Sequence, residues 1–277
     1  MKLITWNVQW FCGLDRRVDV ARVLDEARAW ADFDVLCLQE VAVNYPLLEG
    51  DAGFDQVARV RERLPGYDVF FGAAVDTLGP NGQRQRFGNL IATRLPALQV
   101  QHHPLPYPAD AGVASMPRMC SSVTLASEFG PLRVMTAHLE YFSKRQRLSQ
   151  TQGLLDLHAQ ACAQAAAPPL HDASGSPLQD QPHTAQAILC GDFNFDAHGP
   201  EYALLQGSGE LSDAWRVLHP QLAQAPTFHV FDKRYAPDPV CCDFVWLSEG
   251  LHAHVKRVEV NSLTRASDHQ PVLLELD

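Results

Sequence analysis

The stretch Ile188-Leu189-Cys190-Gly191-Asp192-Phe193-Asn194 joins a short apolar run to a glycine and then to two polar side chains. An apolar run that stops at a glycine is typical of a buried strand reaching its end. Because successive strand side chains alternate between the two faces, Asp192 and Asn194 are expected to point the same way. A carboxylate holds a metal ion or takes a proton, and an amide donates to an anionic oxygen without adding negative charge. The stretch therefore predicts a reactive pair at the mouth of a sheet.

Length and charge limit what surrounds this pair. The chain has 277 residues, of which 46% are hydrophobic, and we expect one domain over residues 1–277 with an exposed loop at residues 168–185. The formal net charge is -10. Since proteins that bind long duplex DNA rely on Lys and Arg against the phosphates, this charge favours a small or localised substrate.

The distribution of apolar residues and cysteines predicts a cytoplasmic protein. No apolar run approaches the roughly 18 residues of a membrane helix, and the first residues read as a strand without a signal peptide. The seven cysteines are scattered, which fits reduced thiols better than a disulfide framework. The adjacent Cys241-Cys242 pair matches no zinc-site spacing.

Hydrophobic periodicity predicts an α/β protein with alternating strands and amphipathic helices. The strands are expected at residues 2–8, 34–40, 67–75, 89–93, 97–105, 120–125, 132–138, 243–247, 254–260 and 271–276, besides the run that ends at Asp192. The helices are expected at residues 15–31, 54–64, 142–166 and 200–205, with an irregular stretch from there to Pro239. Two mixed sheets packed face to face, with helices outside, are the natural architecture for this pattern.

Polar residues follow many of these strands, which is where ligands bind in open α/β sheets. The set comprises Asn7, Glu40, His138, Asp192, Asn194, Asp243, Asp268 and His269. A polar residue also ends a strand simply because it begins a loop, but that explanation is poor for so many together. Glu40 is expected to bind Mg²⁺, since hard cations take carboxylate oxygens. Asp243 is expected to orient His269 and hold it protonated.

Six short blocks, taken in order, resemble the endonuclease/exonuclease/phosphatase superfamily of DNase I-like metal-dependent phosphohydrolases. Each block is weak alone, but their order over residues 2–272 is specific. The blocks are Thr5-Trp6-Asn7, Leu38-Gln39-Glu40-Val41, His138-Leu139, Gly191-Asp192-Phe193-Asn194, Asp243-Phe244-Val245 and Ser267-Asp268-His269. The resemblance implies a four-layered α/β sandwich, with two packed mixed β-sheets flanked by helices, and Mg²⁺-dependent phosphoester hydrolysis, with Mn²⁺ as a substitute.

The resemblance also implies roles for the metal-binding residues. By matching position, Glu40 should bind the metal ion, with Asn7 beside it and Asp268 near enough to contribute. Such an ion neutralises the charge of a phosphodiester and assists the leaving oxygen.

The remaining matched residues are implied to act on the phosphate and on water. Asp192 should orient or deprotonate the attacking water, and Asn194 should hold a non-bridging phosphate oxygen. His138 should donate to the phosphate, and His269, paired with Asp243, should stabilise the charge of the transition state.

Four arginines are candidates for substrate binding: Arg86, Arg118, Arg145 and Arg147. Arg145 and Arg147 stand near a predicted helix start, which suits anions, whereas a solvated helix face explains them equally well. The aromatic loop from Phe228 to Tyr235 would serve either membrane insertion or the lining of a substrate pocket.

The sequence does not single out one phosphoester substrate. A phosphodiesterase acting on nucleic acid or a small diester is the leading hypothesis. The alternatives are a phosphomonoesterase or a phospholipid- or sphingomyelinase-type phosphodiesterase, and a catalytically silent binding module, which would require one of the matched residues to be missing.

Overall fold

A computed structural model of the chain describes residues 1–80, 82–234 and 238–277. In it, two six-stranded mixed sheets pack against each other. The first sheet has the spatial order β11-β12-β1-β2-β4-β3, formed by Val255–Val260, Val272–Leu276, Lys2–Asn7, Val35–Val43, Arg84–Thr93 and Asp68–Leu78. The second has the order β5-β6-β7-β8-β10-β9, formed by Ala97–Pro104, Met119–Ser127, Gly130–His138, Ala187–Asp192, Asp243–Leu247 and Ser212–Asp213.

Helices cover the outer faces of both sheets. They are α1 (Val20–Trp30), α2 (Gln56–Arg63), α3 (Lys144–Ala166) and α4 (Pro200–Gly207), and short 3-10 segments lie at Gln9–Phe11 and Glu249–His254. Helix α5 (Ala214–Leu218) instead packs against strands of both sheets and contributes to the core between them. One apolar core lies between the sheets, a second lies between the first sheet and helices α1 and α2, and a third lies between the second sheet and helices α3 and α4. These layers form the predicted four-layered sandwich.

Capping side chains fix where three of the helices begin. Asp19, Asp55 and Ser143 each accept a hydrogen bond from the backbone N–H three residues further on, which satisfies a donor that the helix leaves unpaired. Helix α1 therefore starts five residues after the predicted start at Asp15, and helix α3 starts at Lys144 instead of Phe142.

Parallel strand pairs bring the polar strand ends to one edge of the molecule. Strands β1 and β2 pair in parallel in the first sheet, and β7 and β8 do so in the second. In register, Asp192 lies opposite His138 on β7 and opposite Asp243 on β10. The Asn7 amide Nδ2 at the end of β1 donates across the sheets to Asp192 Oδ2 at 2.9 Å.

Gly191 permits the close contact between β7 and β8 that creates this register. Its φ angle is +139°, and a Cβ atom built there would lie 1.9 Å from the carbonyl oxygen of Ala137. A side chain at this position would push the two strands apart, so the glycine of the opening stretch has a steric role.

Two sequence-based expectations about local structure are wrong. Glu40 does not end its strand, because β2 continues to Val43 and Glu40 lies in a break of the pairing register with φ at +61°. Such a bulge re-aims a side chain, and here it directs Glu40 to the cleft described below. The stretch predicted to be irregular up to Pro239 contains β9 and α5.

Residues 168–185 form neither helix nor strand, and most of them are exposed. The cluster Gly79-Pro80-Asn81-Gly82 is typical of a turn, but its Asn81 lies outside the described residues. Tyr235 of the predicted aromatic loop Phe228–Tyr235 also lies outside them. Among the helices of the described ranges, none combines the length and the apolar character that a membrane crossing requires.

Candidate active site

An open cleft of about 720 Å³ lies at the edge where the strand ends meet. Six of the candidates predicted from the sequence line it: Glu40, His138, Asp192, Asn194, Asp268 and His269. Asn7 and Asp243 lie directly behind them, each hydrogen-bonded to a lining residue. The structure thus gathers all eight strand-end candidates into one site.

Asp192 is the most densely contacted of these groups. Its Oδ2 atom accepts from Asn7 Nδ2 at 2.9 Å and lies 3.5 Å from His138 Nε2 and 3.7 Å from His269 Nε2. Its Oδ1 atom accepts from the backbone N–H of Asn194 at 2.9 Å. Burial raises the pKa of Asp192 from 3.8 to about 6, with the charge of His269 opposing the shift and that of Asp243 adding to it. A carboxylate tuned in this way is suited to accept a proton near neutral pH.

His269 is held as a cation by its carboxylate neighbours. Its Nδ1 atom donates to Asp243 Oδ2 at 2.9 Å. Burial alone lowers the pKa of His269, but Asp243 and Asp192 outweigh it and raise the pKa to about 10. The ring is also fixed from one face by Phe228, whose centroid lies 4.2 Å away at an interplanar angle of 19°. A protonated imidazole therefore faces the cleft at neutral pH.

The Ser267-Asp268-His269 segment is anchored to β1. Ser267 Oγ donates to the carbonyl of Asn7 at 2.7 Å, and Trp6 Nε1 donates to the carbonyl of His269 at 2.9 Å. These bonds hold Asp268 and His269 beside the end of β1, next to Asn7. Ser267 Oγ also accepts from the backbone N–H of His269 at 3.2 Å, so the serine stabilises the turn that holds the motif.

Glu40 and Asp268 offer carboxylate oxygens to a hard divalent cation, whereas the predicted ligand Asn7 uses its amide on protein partners. Burial raises the pKa of Glu40, which the hydrogen bond from Asn7 partly offsets. Burial also raises the pKa of Asp268 to about 6, with the cation of His269 opposing this and the charge of Glu40 adding to it. The two carboxylates repel each other across the cleft, and a divalent ion bound between them would relieve this repulsion. Asn7 presents its amide nitrogen to Glu40 Oε1 at 3.0 Å, while its oxygen accepts from the backbone N–H of Gln9.

His138 and Asn194 are both neutral, but their surroundings differ. Burial, together with Arg118 and His269, lowers the pKa of His138 well below 6.5, so the ring is neutral. Its Nε2 atom lies 3.8 Å from Glu40 Oε1. Asn194 has a left-handed backbone with φ at +53°, and its Nδ2 donates to the carbonyl of Leu139 at 2.9 Å. Asn194 and Asp192 share the cleft through this turn and not through regular strand alternation.

The four predicted arginines have different surroundings. Arg118 lines the cleft, where it is buried and donates through Nε to Glu140 Oε2 at 3.1 Å. Arg145 and Arg147 line a second cleft of about 550 Å³ that shares Tyr141, Asn194 and Phe228 with the first. Arg147 is engaged by Glu201 at 3.0 Å and by two backbone carbonyls. Arg86 is exposed, 3.8 Å from Asp76, and lies outside the lining of both clefts.

Several residues of the site carry no sequence signal that would have found them. Thr227 Oγ1 accepts from the backbone N–H groups of Cys242 and Asp243, each at 3.1 Å. Glu140 accepts from Arg118 and from the backbone N–H groups of Met116 and Phe142, which fixes two loops at the cleft. The bonds of Thr227 to Cys242 and of Arg118 to Glu140 join segments that are separate in sequence, which is why no local motif reveals them.

The sequence profile described as "Endonuclease/Exonuclease/phosphatase family" matches residues 4–269. The chain belongs to this family. Family members are metal-dependent hydrolases of phosphoester bonds, and the enzyme described here is therefore one as well. No curated protein matches the chain significantly.

Solved structures of family members share the fold of this enzyme. An endonuclease/exonuclease/phosphatase family protein from Bacteroides thetaiotaomicron is 20% identical with a TM-score of 0.68, covering 100% of this chain and 94% of that chain. The mannosyl-6-phosphatase of the same organism is 20% identical with a TM-score of 0.67, covering 100% and 99%. TDP2 from D. rerio, in complex with a single-strand DNA product, is 21% identical with a TM-score of 0.64, covering 100% and 98%. At these identities the similarity establishes the fold alone.

Proposed function

We propose that the enzyme hydrolyses phosphodiesters with Mg²⁺, using Asp192 as the group that orients and deprotonates the attacking water. The position of Asp192 carries this proposal, because one of its oxygens lies within 3.7 Å of both His138 and His269 and accepts from Asn7. A water molecule activated there meets a phosphate already surrounded by hydrogen-bond donors. Mn²⁺ is expected to replace Mg²⁺, since both are hard cations that take oxygen ligands.

Each remaining residue has a distinct part in this proposal. Glu40 and Asp268 hold the divalent cation, which neutralises phosphate charge and assists the leaving oxygen. Asn7 holds Glu40 and Asp192 apart at fixed positions. His269, kept protonated by Asp243, donates to the oxygen on which charge develops, and neutral His138 and Asn194 donate to the other phosphate oxygens.

The charges around the cleft favour a diester over a monoester. Among the described residues that line it, the carboxylates are those of Glu40, Glu140, Asp192 and Asp268, and the cations are Arg118 and His269. One bound divalent cation leaves little positive charge in excess. A diester monoanion is therefore accommodated more easily than a monoester dianion, whose second charge would lie beside these carboxylates.

Aromatic side chains favour a substrate with a planar group next to the phosphate. The cleft is lined by Trp10, Phe87, Tyr141, Phe142 and Phe228. Aromatic faces stack on nucleobases whatever their sequence. Single-stranded nucleic acid or a small aryl or nucleoside diester fits this lining, and the single-strand DNA product bound to TDP2 agrees with the first of these. Cytoplasmic action remains a prediction, consistent with seven free cysteines.

Hydrolysis of two model esters tests the proposal. Bis-p-nitrophenyl phosphate and p-nitrophenyl phosphate are compared in Mg²⁺, Mn²⁺ and EDTA, with Glu40→Gln and His269→Ala against the exposed controls Glu62→Gln and His171→Ala. We expect diester turnover that needs the metal and falls by about 10² or more in both site variants but in neither control. Preferential release of inorganic phosphate from the monoester would instead identify a phosphomonoesterase, and no turnover of either ester would favour the binding module.

A further inference from the structure

A buried thiol lies beside the pair of Asp243 and His269. Cys242 Sγ is 3.6 Å from Asp243 Oδ2, the same oxygen that accepts from His269 Nδ1. The other carboxylate oxygen of Asp243, Oδ1, is buried and has no hydrogen-bond partner among the described residues. A cation bound to this carboxylate would satisfy the buried oxygen that has no hydrogen-bond partner, and the nearby thiol would supply a second ligand.

Four potential ligands converge at this point. Asp192, Cys242, Asp243 and His269 each offer one ligand atom, and these atoms all lie within 4.8 Å of one another. A tetrahedral zinc ion with bonds of about 2.0–2.3 Å would hold its ligands roughly 3.3–3.7 Å apart. The four side chains therefore need only small movements to coordinate one ion.

The donor set differs in kind from that of the hydrolytic metal. Glu40 and Asp268 supply hard oxygens, which suit Mg²⁺. A thiolate, an imidazole and carboxylates together suit Zn²⁺ or another soft divalent ion. We propose that Cys242, Asp243 and His269, with Asp192 as fourth ligand, form a zinc site that inhibits the enzyme. The inhibitory effect rests on the proposed role of His269, whereas the binding of the ion does not.

Coordination removes what His269 supplies to the reaction. The metal takes a lone pair from Cys242 Sγ and one from a nitrogen of His269, and the thiol proton and one imidazolium proton pass to solvent. The nitrogen that binds the ion then carries no proton to donate. If Nδ1 is the ligand, its hydrogen bond to Asp243 is also lost. No oxidation or reduction takes place, so a chelator should reverse the inhibition.

An entry route exists for the ion. Cys242 is one of the residues that line the second cleft, alongside Phe228 and Val240, and that cleft opens to solvent. The neighbouring Cys241 has a different environment, since its thiol faces the backbone carbonyl of Asp243 at 3.8 Å and it is not part of the ligand group. The adjacent cysteines therefore form a matched pair for an experiment.

A second group of possible metal ligands lies elsewhere in the fold, and the experiment has to include a control for it. His158, Cys162 and Glu210 also lie within reach of one ion. However, Arg133 Nη2 donates to His158 Nδ1 at 2.6 Å, so the neutral ring carries its proton on Nε2, the nitrogen that faces Cys162. A metal at Nε2 would need that proton removed, which disfavours this group as a metal site.

The test compares zinc inhibition of the wild type with that of Cys242→Ser, Cys242→Ala, Cys241→Ser and Cys162→Ser. Turnover of the diester is measured at a fixed excess of Mg²⁺, and each protein is normalised to its own rate without zinc. We expect the Cys241 and Cys162 variants to match the wild type, and both Cys242 variants to need at least about tenfold more zinc for half inhibition. Equal sensitivity in all five proteins would overturn the proposal and indicate competition at Glu40 and Asp268.

A binding measurement separates the site from its effect on activity. Cadmium gives a thiolate charge-transfer band in the ultraviolet, and it is titrated into the same five proteins in the presence of Mg²⁺. The band should appear in the wild type and in the Cys241 and Cys162 variants, and it should be lost in both Cys242 variants. If the band depends on Cys242 but zinc does not inhibit the enzyme, the ion binds as proposed, and the role given to His269 in the reaction is wrong. A band that does not depend on Cys242 would refute the site itself.

Discussion

Asn7 shows how a neutral side chain organises charged ones. Its amide nitrogen donates to Glu40 Oε1 and to Asp192 Oδ2, so one residue fixes a predicted metal ligand and the predicted base relative to each other. The sequence placed Asn7 near the metal by resemblance, but the structure adds that its nitrogen faces the carboxylates. A residue in this position acts on the cation through the carboxylate that it holds.

Replacing Asn7 should therefore weaken metal activation. In Asn7→Ala, Glu40 and Asp192 lose their shared donor, and we expect the Mg²⁺ concentration for half-maximal activity to rise about 10- to 100-fold. The measurement is a Mg²⁺ titration of diester turnover, with Asn261→Ala as the control. An unchanged Mg²⁺ requirement in Asn7→Ala would show that Glu40 is positioned without it.

Asp243 should set the basic limit of activity through His269. Burial lowers the pKa of His269, and Asp243 and Asp192 raise it to about 10, so the required proton is present throughout the neutral range and is lost as the pH rises through that value. In Asp243→Asn one of the two carboxylates is removed, and the basic limb of the pH–rate profile should move toward neutral pH. Asp196→Asn, which changes an exposed carboxylate on the second cleft, should leave the limb in place. A limb that does not move in Asp243→Asn would mean that it belongs to another group.

At the scale of secondary structure, glycine and bulge positions aim the functional side chains. Gly191 brings β8 close to β7, and the bulge at Glu40 turns that side chain out of β2. Hydrophobic periodicity predicted both strands because their apolar residues face two packed layers. It could not predict the bulge, because a register shift depends on the partner strand β4 and not on the residues of β2 alone.

Gly191→Ala should destabilise the fold by disturbing the contact between β7 and β8. The new Cβ would meet the Ala137 carbonyl at 1.9 Å on a backbone with φ at +139°. Strain and overpacking together predict a loss of about 2–5 kcal/mol in the free energy of unfolding. Gly207→Ala is the matched control, because Gly207 lies in α4 with nothing within 4 Å of the added carbon, and alanine there should be neutral or stabilising by up to about 1 kcal/mol. Chemical denaturation compares the two, and an equal effect would contradict the steric role of Gly191.

At the scale of the whole molecule, neither sheet holds the site alone. The first sheet and its loops supply Asn7, Glu40, Asp268 and His269, and the second supplies His138, Asp192, Asn194 and Asp243. Buried hydrogen bonds join the sheets, including Asn7 to Asp192 at 2.9 Å and Gln39 Nε2 to Thr136 Oγ1 at 2.8 Å. The order of the six motifs predicted this assembly through resemblance to the family. The contacts of Thr227 with Cys242 and of Glu140 with Arg118 could not be predicted, because each joins loop segments that are separate in the sequence.

Metal binding should therefore stabilise the whole fold and not one loop. Without a cation, the carboxylates of Asp192 and Asp268 are buried and that of Glu40 is partly buried, and desolvation raises the pKa of each of the three. A ligand that binds only the folded state at 100 times its Kd adds about 2.7 kcal/mol, which corresponds to a rise of roughly 5–10 °C in Tm for a chain of this size. We expect Mg²⁺ to raise the Tm of the wild type and of Glu62→Gln by this amount, and to have little effect on Glu40→Gln. Because glutamine at position 40 retains an acceptor for Asn7 but carries no charge, the metal-free Tm of Glu40→Gln should equal or exceed that of the wild type. An equal rise with Mg²⁺ in Glu40→Gln would place the cation elsewhere and remove Glu40 from the metal site.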